Sequence, residues 1–261
     1  MGQCFLKDPH FIARIVEAVS PTPGETLLEI GAGEGQLTLP MVDAGARVLA
    51  VENDSRLAVR LARRAGHNLE LIEADAVKID FDQLFKDRGL ERIRGYGNLP
   101  YSLAAPILLR LLSYAPRFDS LTLMFQKEVA ERLVARPSTK DYSFLSVVTQ
   151  QAARPEILFR IPPDAFRPRP RVVSAVVRLD LRHAESPDCG DEITFRSLVK
   201  ALLAHRRKTI ANNIKHLAPS ILSRDVIVQA MAARGIDPAR RAETLSVEEF
   251  ADISRICASA T

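Results

Sequence analysis

The chain has 261 residues, 47% apolar and 26% charged, with 36 Lys and Arg against 32 Asp and Glu. Such proportions describe a soluble globular chain with room for one large domain, or a large one and a small one, and they exclude disordered, collagen-like and disulfide-scaffold classes. A net charge of +4 is by itself too small to announce a polyanionic partner.

In chain order, short apolar runs bounded by turn signals predict strands at 26–30, 47–51 and 69–73, a fourth ending at Asn98, and a fifth at 120–125. Apolar residues at three- and four-residue spacing between them predict helices over 36–44, 54–65 and 102–113. The alternation predicts an α/β fold, a doubly wound parallel sheet whose ligand binds at the carboxyl ends of the strands. Strands at 157–161 and 172–181 follow without a helix between them, so the sheet is expected to end in an antiparallel hairpin. Helices at 195–203, 206–216, 223–233 and 246–257 then predict a small all-α C-terminal domain. The acidic stretch from Glu185 to Glu192, with Pro187 and Gly190 inside it, reads as a linker, which divides the chain into 1–184, a linker at 185–192, and 193–261.

The charge is unevenly spread. Residues 1–153 carry 18 basic and 19 acidic residues, 154–182 carry 7 and 3, 183–192 carry none and 4, and 193–241 carry 10 and 2. The small total is therefore a cancellation between a neutral body and two basic segments, and clustered basic charge is what attracts a polyanion. Cys4, Cys189 and Cys257 are far apart, with no CxxC pair and no His at ligand spacing, so neither a disulfide framework nor a metal site is expected. The N-terminus has no basic stretch followed by an apolar one, and no apolar run reaches the length of a membrane span. A cytoplasmic protein without a membrane partner is the expectation.

The first strand runs into Gly31, Gly33 and Gly35 at alternate positions and then a helix. Glycines there let the backbone turn sharply and approach a ligand closely. A dinucleotide fingerprint needs its third glycine at position 36, which is Gln36, so the loop counts against NAD and suits a ligand without a pyrophosphate, such as S-adenosylmethionine. Glu52 at the tip of the second strand is placed to accept both hydroxyls of a ribose. Asp75 after the third is placed to accept from an adenine amino group, although an Asp after a strand is often only a cap.

The fourth strand ends in Asn98, Leu99, Pro100 and Tyr101. An exocyclic aromatic amine is a poor nucleophile because its lone pair is delocalised into the ring. Two acceptors on its two N–H groups draw the nitrogen towards sp3 geometry: the Asn98 side-chain carbonyl is one, the Leu99 backbone carbonyl the other, with Pro100 fixing the turn. Tyr101 offers a face for a base taken out of its stack.

Together these residues resemble the ribosomal RNA adenine N6-dimethyltransferase family, in its small-subunit group. The resemblance runs along essentially the whole chain: Gly2 to Leu6, Glu29 to Gly33, Glu52, Asp75 with Ala76, Asn98 to Tyr101, Gln126 to Arg132, Tyr142 to Ser146, Phe166 to Ser174, and Arg206 to Thr209 with Asn212 and Asn213. It implies a Rossmann-like S-adenosylmethionine-dependent methyltransferase domain with a helical RNA-binding domain. The implied reaction dimethylates two adjacent adenosines in a hairpin near the 3′ end of 16S rRNA and releases S-adenosylhomocysteine, without a metal, as part of small-subunit maturation. The protein is expected to act as a monomer. Gln3, Cys4, Leu6, Gly31, Gly33, Glu52, Asp75, Ala76 and Asn98 match cofactor-binding positions. Asn98, Leu99, Pro100, Tyr101 and Phe166 match the amine site, with the adenine between Tyr101 and Phe166. Arg167, Arg169, Arg171, Arg206, Arg207 and Lys208 are expected on the RNA. Two departures stand out: Cys4 replaces the usual Asn or His, and the chain opens on the Gly2-Gln3 motif without a basic lead. Methylation of large-subunit RNA or DNA and a chiefly assembly-related role are the alternatives.

Overall fold

The computed structural model describes residues 4–63, 66–181, 186–205, 208–216 and 224–259. They form two compact units, one of residues 1–130 and 155–182, the other of 131–154 and 183–261.

In chain order, the first unit contains β1 (Phe5–Leu6), α1 (Pro9–Val19), β2 (Thr26–Ile30), α2 (Thr38–Asp43), β3 (Arg47–Glu52), α3 (Ser55–Ala62), β4 (Leu69–Glu73), α4 (Phe81–Lys86), β5 (Ile93–Asn98), α5 (Ala104–Leu112) and β6 (Phe118–Gln126). After α6 (Lys127–Leu133), which lies across the division, and α7 (Phe144–Ala152) in the second unit, β7 (Arg154–Ile161), β8 (Phe166–Arg167) and β9 (Ser174–Asp180) complete it. Seven strands form one sheet in the order β4-β3-β2-β5-β6-β9-β7. The pairs β3–β4, β2–β3, β2–β5 and β5–β6 are parallel, and β6–β9 is antiparallel. The chain leaves β2 towards one edge and returns on its other side at β5, so the strand order reverses between them. A crevice opens at the carboxyl ends of strands at such a point.

Strands buried on both faces read as continuous apolar runs. Accordingly Leu27, Leu28, Val48, Ala50, Leu121 and Leu123 have 1% exposure or less. Helix starts follow local chemistry: Asp8, Asp54 and Asp80 accept from backbone N–H groups in the first turns of α1, α3 and α4. The five predicted parallel strands and the placing of β9 beside β7 match the expectation from sequence. The helices α1 and α4 and the two-stranded ribbon of β1 and β8 do not appear in that reading; α4 and the ribbon strands, with six and two residues, carry too few periodic positions. The ribbon pairs Leu6 with Phe166 and Phe5 with Arg167.

The second unit is helical, with α7, α8 (Glu192–Leu202), α9 (Ile210–Asn213), α10 (Arg224–Ala233) and α11 (Val247–Ser259). Its boundary corrects the expected division. Residues 131–154 belong here, tied by Tyr142 Oη donating to the Leu245 carbonyl (3.0 Å), Ser138 N to the Glu243 carbonyl (2.7 Å) and Gln151 Nε2 to the Pro187 carbonyl (3.3 Å). The charge pattern registers the later crossing near 185 but not the earlier one near 131, where no change of charge accompanies the chain. The expected linker is also shorter: Asp191 accepts from Thr194 N at 2.8 Å and caps α8, which Glu192 begins. The expected helix at 206–216 is reduced to α9 and a 3-10 turn at 214–216, with Arg206 and Arg207 outside the described residues.

Candidate active site

Four strand tips meet at the crevice. Beyond β2, Gly31 and Gly33 take positive φ values of 76° and 58°, which side-chain-bearing residues rarely adopt. Gly31 N donates to the Val51 carbonyl at 2.8 Å, and Gly33 N donates to Glu52 Oε2 at 2.8 Å. The other carboxylate oxygen of Glu52 accepts from Asp54 N at 2.9 Å. Glu52 is 3% exposed, so the tip of β3 carries a buried carboxylate whose two oxygens are both fixed by backbone donors. Each oxygen keeps a further acceptor position.

Two adjoining hollows open here. One, of about 590 Å³, is lined by Cys4, Leu6, Gly31, Gly33, Glu52 and Asn98 among others. The second, of about 800 Å³, is lined by Asp75, Ala76, Leu103 and Ile107 among others. Gly31, Glu52, Pro100 and Tyr101 line both. Asp75 lines the second hollow, and its Oδ1 accepts from Val77 N at 2.9 Å and closes the turn after β4.

The tip of β5 approaches β2 unusually closely. A Cβ on Gly97 would lie 2.4 Å from the Ile30 carbonyl oxygen, so only glycine lets the next residue, Asn98, reach the crevice. The Asn98 amide donates from Nδ2 to the Cys4 carbonyl at 3.4 Å, a bond that engages its nitrogen and not the acceptor Oδ1. Leu99 and Pro100 line the first hollow, and Leu103 N donates to the Pro100 carbonyl at 2.9 Å, closing the turn that carries Tyr101. The Tyr101 hydroxyl shares a 2.5 Å hydrogen bond with Ser174 Oγ, and burial pushes its pKa above the ordinary tyrosine value. Ser174 thus fixes the Tyr101 ring.

Phe166 departs from its expected role as a second aromatic wall. It is completely buried in the core with Leu6, Ile161, Ala165 and Val176, and presents no face to the crevice. Its ribbon partner Leu6 lies under the first hollow, so Phe166 anchors the segment carrying Cys4 and Leu6. Arg167, Arg169 and Arg171 are exposed beyond it. Arg167 donates to the Asp164 and Phe166 carbonyls (2.9 and 2.8 Å), and Arg169 pairs with Asp164 at 3.0 Å. Lys208 is exposed in the second unit. Gln3, Arg206 and Arg207 lie outside the described residues.

Residues with no role in the sequence reading also converge here. Glu29, 1% exposed, lines the first hollow beside Glu52 and accepts from Thr38 Oγ1 at 2.6 Å and Tyr96 Oη at 3.1 Å. Burial pushes its carboxyl up to about 7, against the pull of those two hydrogen bonds. A motif reading marks Glu29 as part of the glycine loop but cannot see the hydroxyls, which come from α2 and β5.

The ribosomal RNA adenine dimethylase family model matches residues 1–259. The ribosomal RNA small subunit methyltransferase A of Idiomarina loihiensis is 43% identical over 97% of this chain and 85% of its own length, and that of Aromatoleum aromaticum 40% over 99% and 93%. Among solved structures, a dimethyladenosine transferase from Plasmodium falciparum has a TM-score of 0.77 at 24% identity, covering 95% of each chain. The 23S rRNA methyltransferase ErmE has a TM-score of 0.65 at 27% identity, covering 97% of this chain and 99% of its own. The crevice, its ordered strand tips and the extent of these matches place the chain in the ribosomal RNA adenine dimethylase family.

Proposed function

We propose that this protein transfers methyl groups from S-adenosylmethionine to N6 of two adjacent adenosines in a hairpin near the 3′ end of 16S rRNA, twice on each, during small-subunit maturation. The observation that carries the reading is the hydrogen bond from Asn98 to Cys4, which commits the amide of Asn98 as donor to the protein and leaves its oxygen for the substrate amine. Gly31 and Gly33, with Cys4, Leu6, Glu52, Asp75 and Ala76 on the hollow walls, would hold the cofactor; Gln3 joins them by family resemblance. When bound, it supplies an electrophilic methyl group on a sulfonium.

Asn98 Oδ1 and the Leu99 carbonyl accept from the two N–H groups of adenine N6 and localise its lone pair. Tyr101, held by Ser174, supplies the face against which the extruded base lies. The methylated ammonium is acidic and loses its proton to water, so no side chain has to act as general base. Arg167, Arg169, Arg171 and Lys208, with Arg206 and Arg207, supply the phosphate contacts that set register. The protein is expected to act as a monomer in the cytoplasm.

Transfer of labelled methyl groups to immature small subunits, followed by mapping, tests this. Dimethyladenosine at two neighbouring positions of the 16S hairpin is the expected result. Label confined to large-subunit RNA overturns the substrate assignment, and failure to label either RNA overturns the reaction.

A further inference from the structure

Glu29 is a buried carboxyl on the wall of the first hollow for which the proposed chemistry has no use. It sits on β2 with Ala50 of β3 and Tyr96 of β5 as register partners. Its Oε2 takes two hydroxyl donors, one from Thr38 of α2 and one from Tyr96. Across the same hollow stands the buried carboxylate of Glu52, whose charge opposes ionisation of Glu29. Gln36 and Cys4 are the other polar side chains on that wall besides Asn98 and Tyr101, and none of the described lining residues is Lys or Arg. Two buried carboxyls against one hollow with no described cationic side chain on its walls lack a compensating positive charge there. A ligand that brings that charge removes both the repulsion and part of the burial cost.

We propose that Glu29 is a positioning residue that releases its proton to solvent as a cationic ligand fills this hollow, and that it thereby favours the sulfonium cofactor over its neutral thioether product. The inference rests on the cofactor assignment above. In the free protein, burial and Glu52 favour the protonated form, and the two hydroxyl donors keep the ionised form within reach. S-adenosylmethionine carries one more positive charge than S-adenosylhomocysteine, so it draws Glu29 further into the ionised state. Each turnover removes that charge and returns Glu29 towards its protonated form, which loosens the product.

The test is calorimetric titration of the full chain with each ligand at pH 6.5 and at further pH values between 6 and 7.5, in two buffers of different ionisation enthalpy. Wild type, Glu29→Gln and Tyr96→Phe are compared after thermal unfolding has shown each to be folded. For a carboxyl titrating near 7, wild type should release more than about half a proton per S-adenosylmethionine bound, and less with S-adenosylhomocysteine. Affinity for the sulfonium cofactor should rise about tenfold from pH 6 to 7.5 in wild type and stay level in Glu29→Gln. Tyr96→Phe keeps the carboxyl but removes a donor to its ionised form, so the pH of half-maximal release moves upward. That shift keeps the idea testable even if Gln at position 29 prevents folding. Equal proton release in wild type and Glu29→Gln, or an unmoved midpoint in Tyr96→Phe, overturns the proposal. Equal release with both ligands overturns the preference for the sulfonium. A chain that binds neither ligand overturns the cofactor assignment itself, a different result from binding without proton release.

Discussion

The Asn98 amide nitrogen and the Cys4 carbonyl are joined at 3.4 Å across 94 residues of sequence, linking the tip of β5 to the N-terminal ribbon. Cys4 takes part through its backbone, so the contact does not depend on which side chain occupies position 4. The bond engages the nitrogen of Asn98, and the proposed role of its oxygen as acceptor for the substrate amine rests on that. Asn98→Ala should therefore lower kcat by about 100-fold or more, the scale seen when one preorganised polar group is removed from a reaction centre. Cofactor affinity should change only a few-fold. Single-turnover methyl transfer together with cofactor titration checks both, and a variant that still turns over at the wild-type rate sinks the role given to Asn98.

Tyr101 and Ser174 form a second such pair, at 2.5 Å. Tyr101→Phe keeps the ring and loses the tether, whereas Tyr101→Ala loses the platform. Base stacking on an aromatic side chain contributes about 1–3 kcal/mol. Tyr101→Ala should thus reduce kcat/KM for RNA by roughly 5- to 150-fold, with Phe much closer to wild type. Equal losses in the two variants would show that the hydroxyl, not the ring face, is what matters.

At Gly97 the limiting contact is backbone. An added Cβ would meet the Ile30 carbonyl oxygen at 2.4 Å, and no side-chain rotation relieves it, so β5 and β2 would have to part at their tips. Gly97→Ala should destabilise the fold by about 1–3 kcal/mol and displace Asn98. Activity at a temperature where the variant remains folded should fall by more than an order of magnitude, measured alongside thermal unfolding. Full activity in a folded variant would mean that the strand tips separate without cost to the site.

What was legible in the sequence was whatever recurs along it. The apolar runs at β2, β3 and β6 and the ordered tips at Gly31, Glu52, Asp75 and Asn98 each announce themselves locally, and all four tips meet at one crevice. Relations between distant segments were not legible. Ser174 reaches Tyr101 only because β9 pairs with β6 in a register that sets Ser174 against Gln126. Thr38 reaches Glu29 only through the packing of α2 on the sheet. Phe166 is a further case: the family resemblance implies an aromatic wall there, yet its antiparallel pairing with Leu6 carries it into the core.

The exposed arginines that follow Phe166 are partly engaged by the protein itself, Arg167 by two carbonyls and Arg169 by Asp164. Exposed ion pairs contribute little, so these contacts orient the guanidinium groups without consuming their charge. Replacing Arg167, Arg169 and Arg171 by Gln should weaken RNA binding. Each lost phosphate contact should flatten the slope of log K against log salt by about 0.7–0.9. Titrations at several salt concentrations give that slope directly, and a slope equal to that of wild type would leave these residues off the RNA.

Glu29 sets the sign of a pH effect on stability that requires no ligand. Its carboxyl is held up at about 7 in the folded chain against an ordinary value of 4.5, chiefly by burial. Between those two pH values the folded chain keeps a proton that the unfolded chain has released, so stability falls as pH rises through that window. The contribution is fully present below about 4.5 and lost above about 7. Gln at position 29 has no proton to lose, so Glu29→Gln should gain Tm relative to wild type as pH is raised from 4.5 to 7.5, by several degrees for a chain of this size. All other titrating groups are common to both proteins and cancel in the comparison. A Tm difference that is constant across the window would mean that Glu29 is already ionised in the fold, with Thr38 and Tyr96 outweighing its burial.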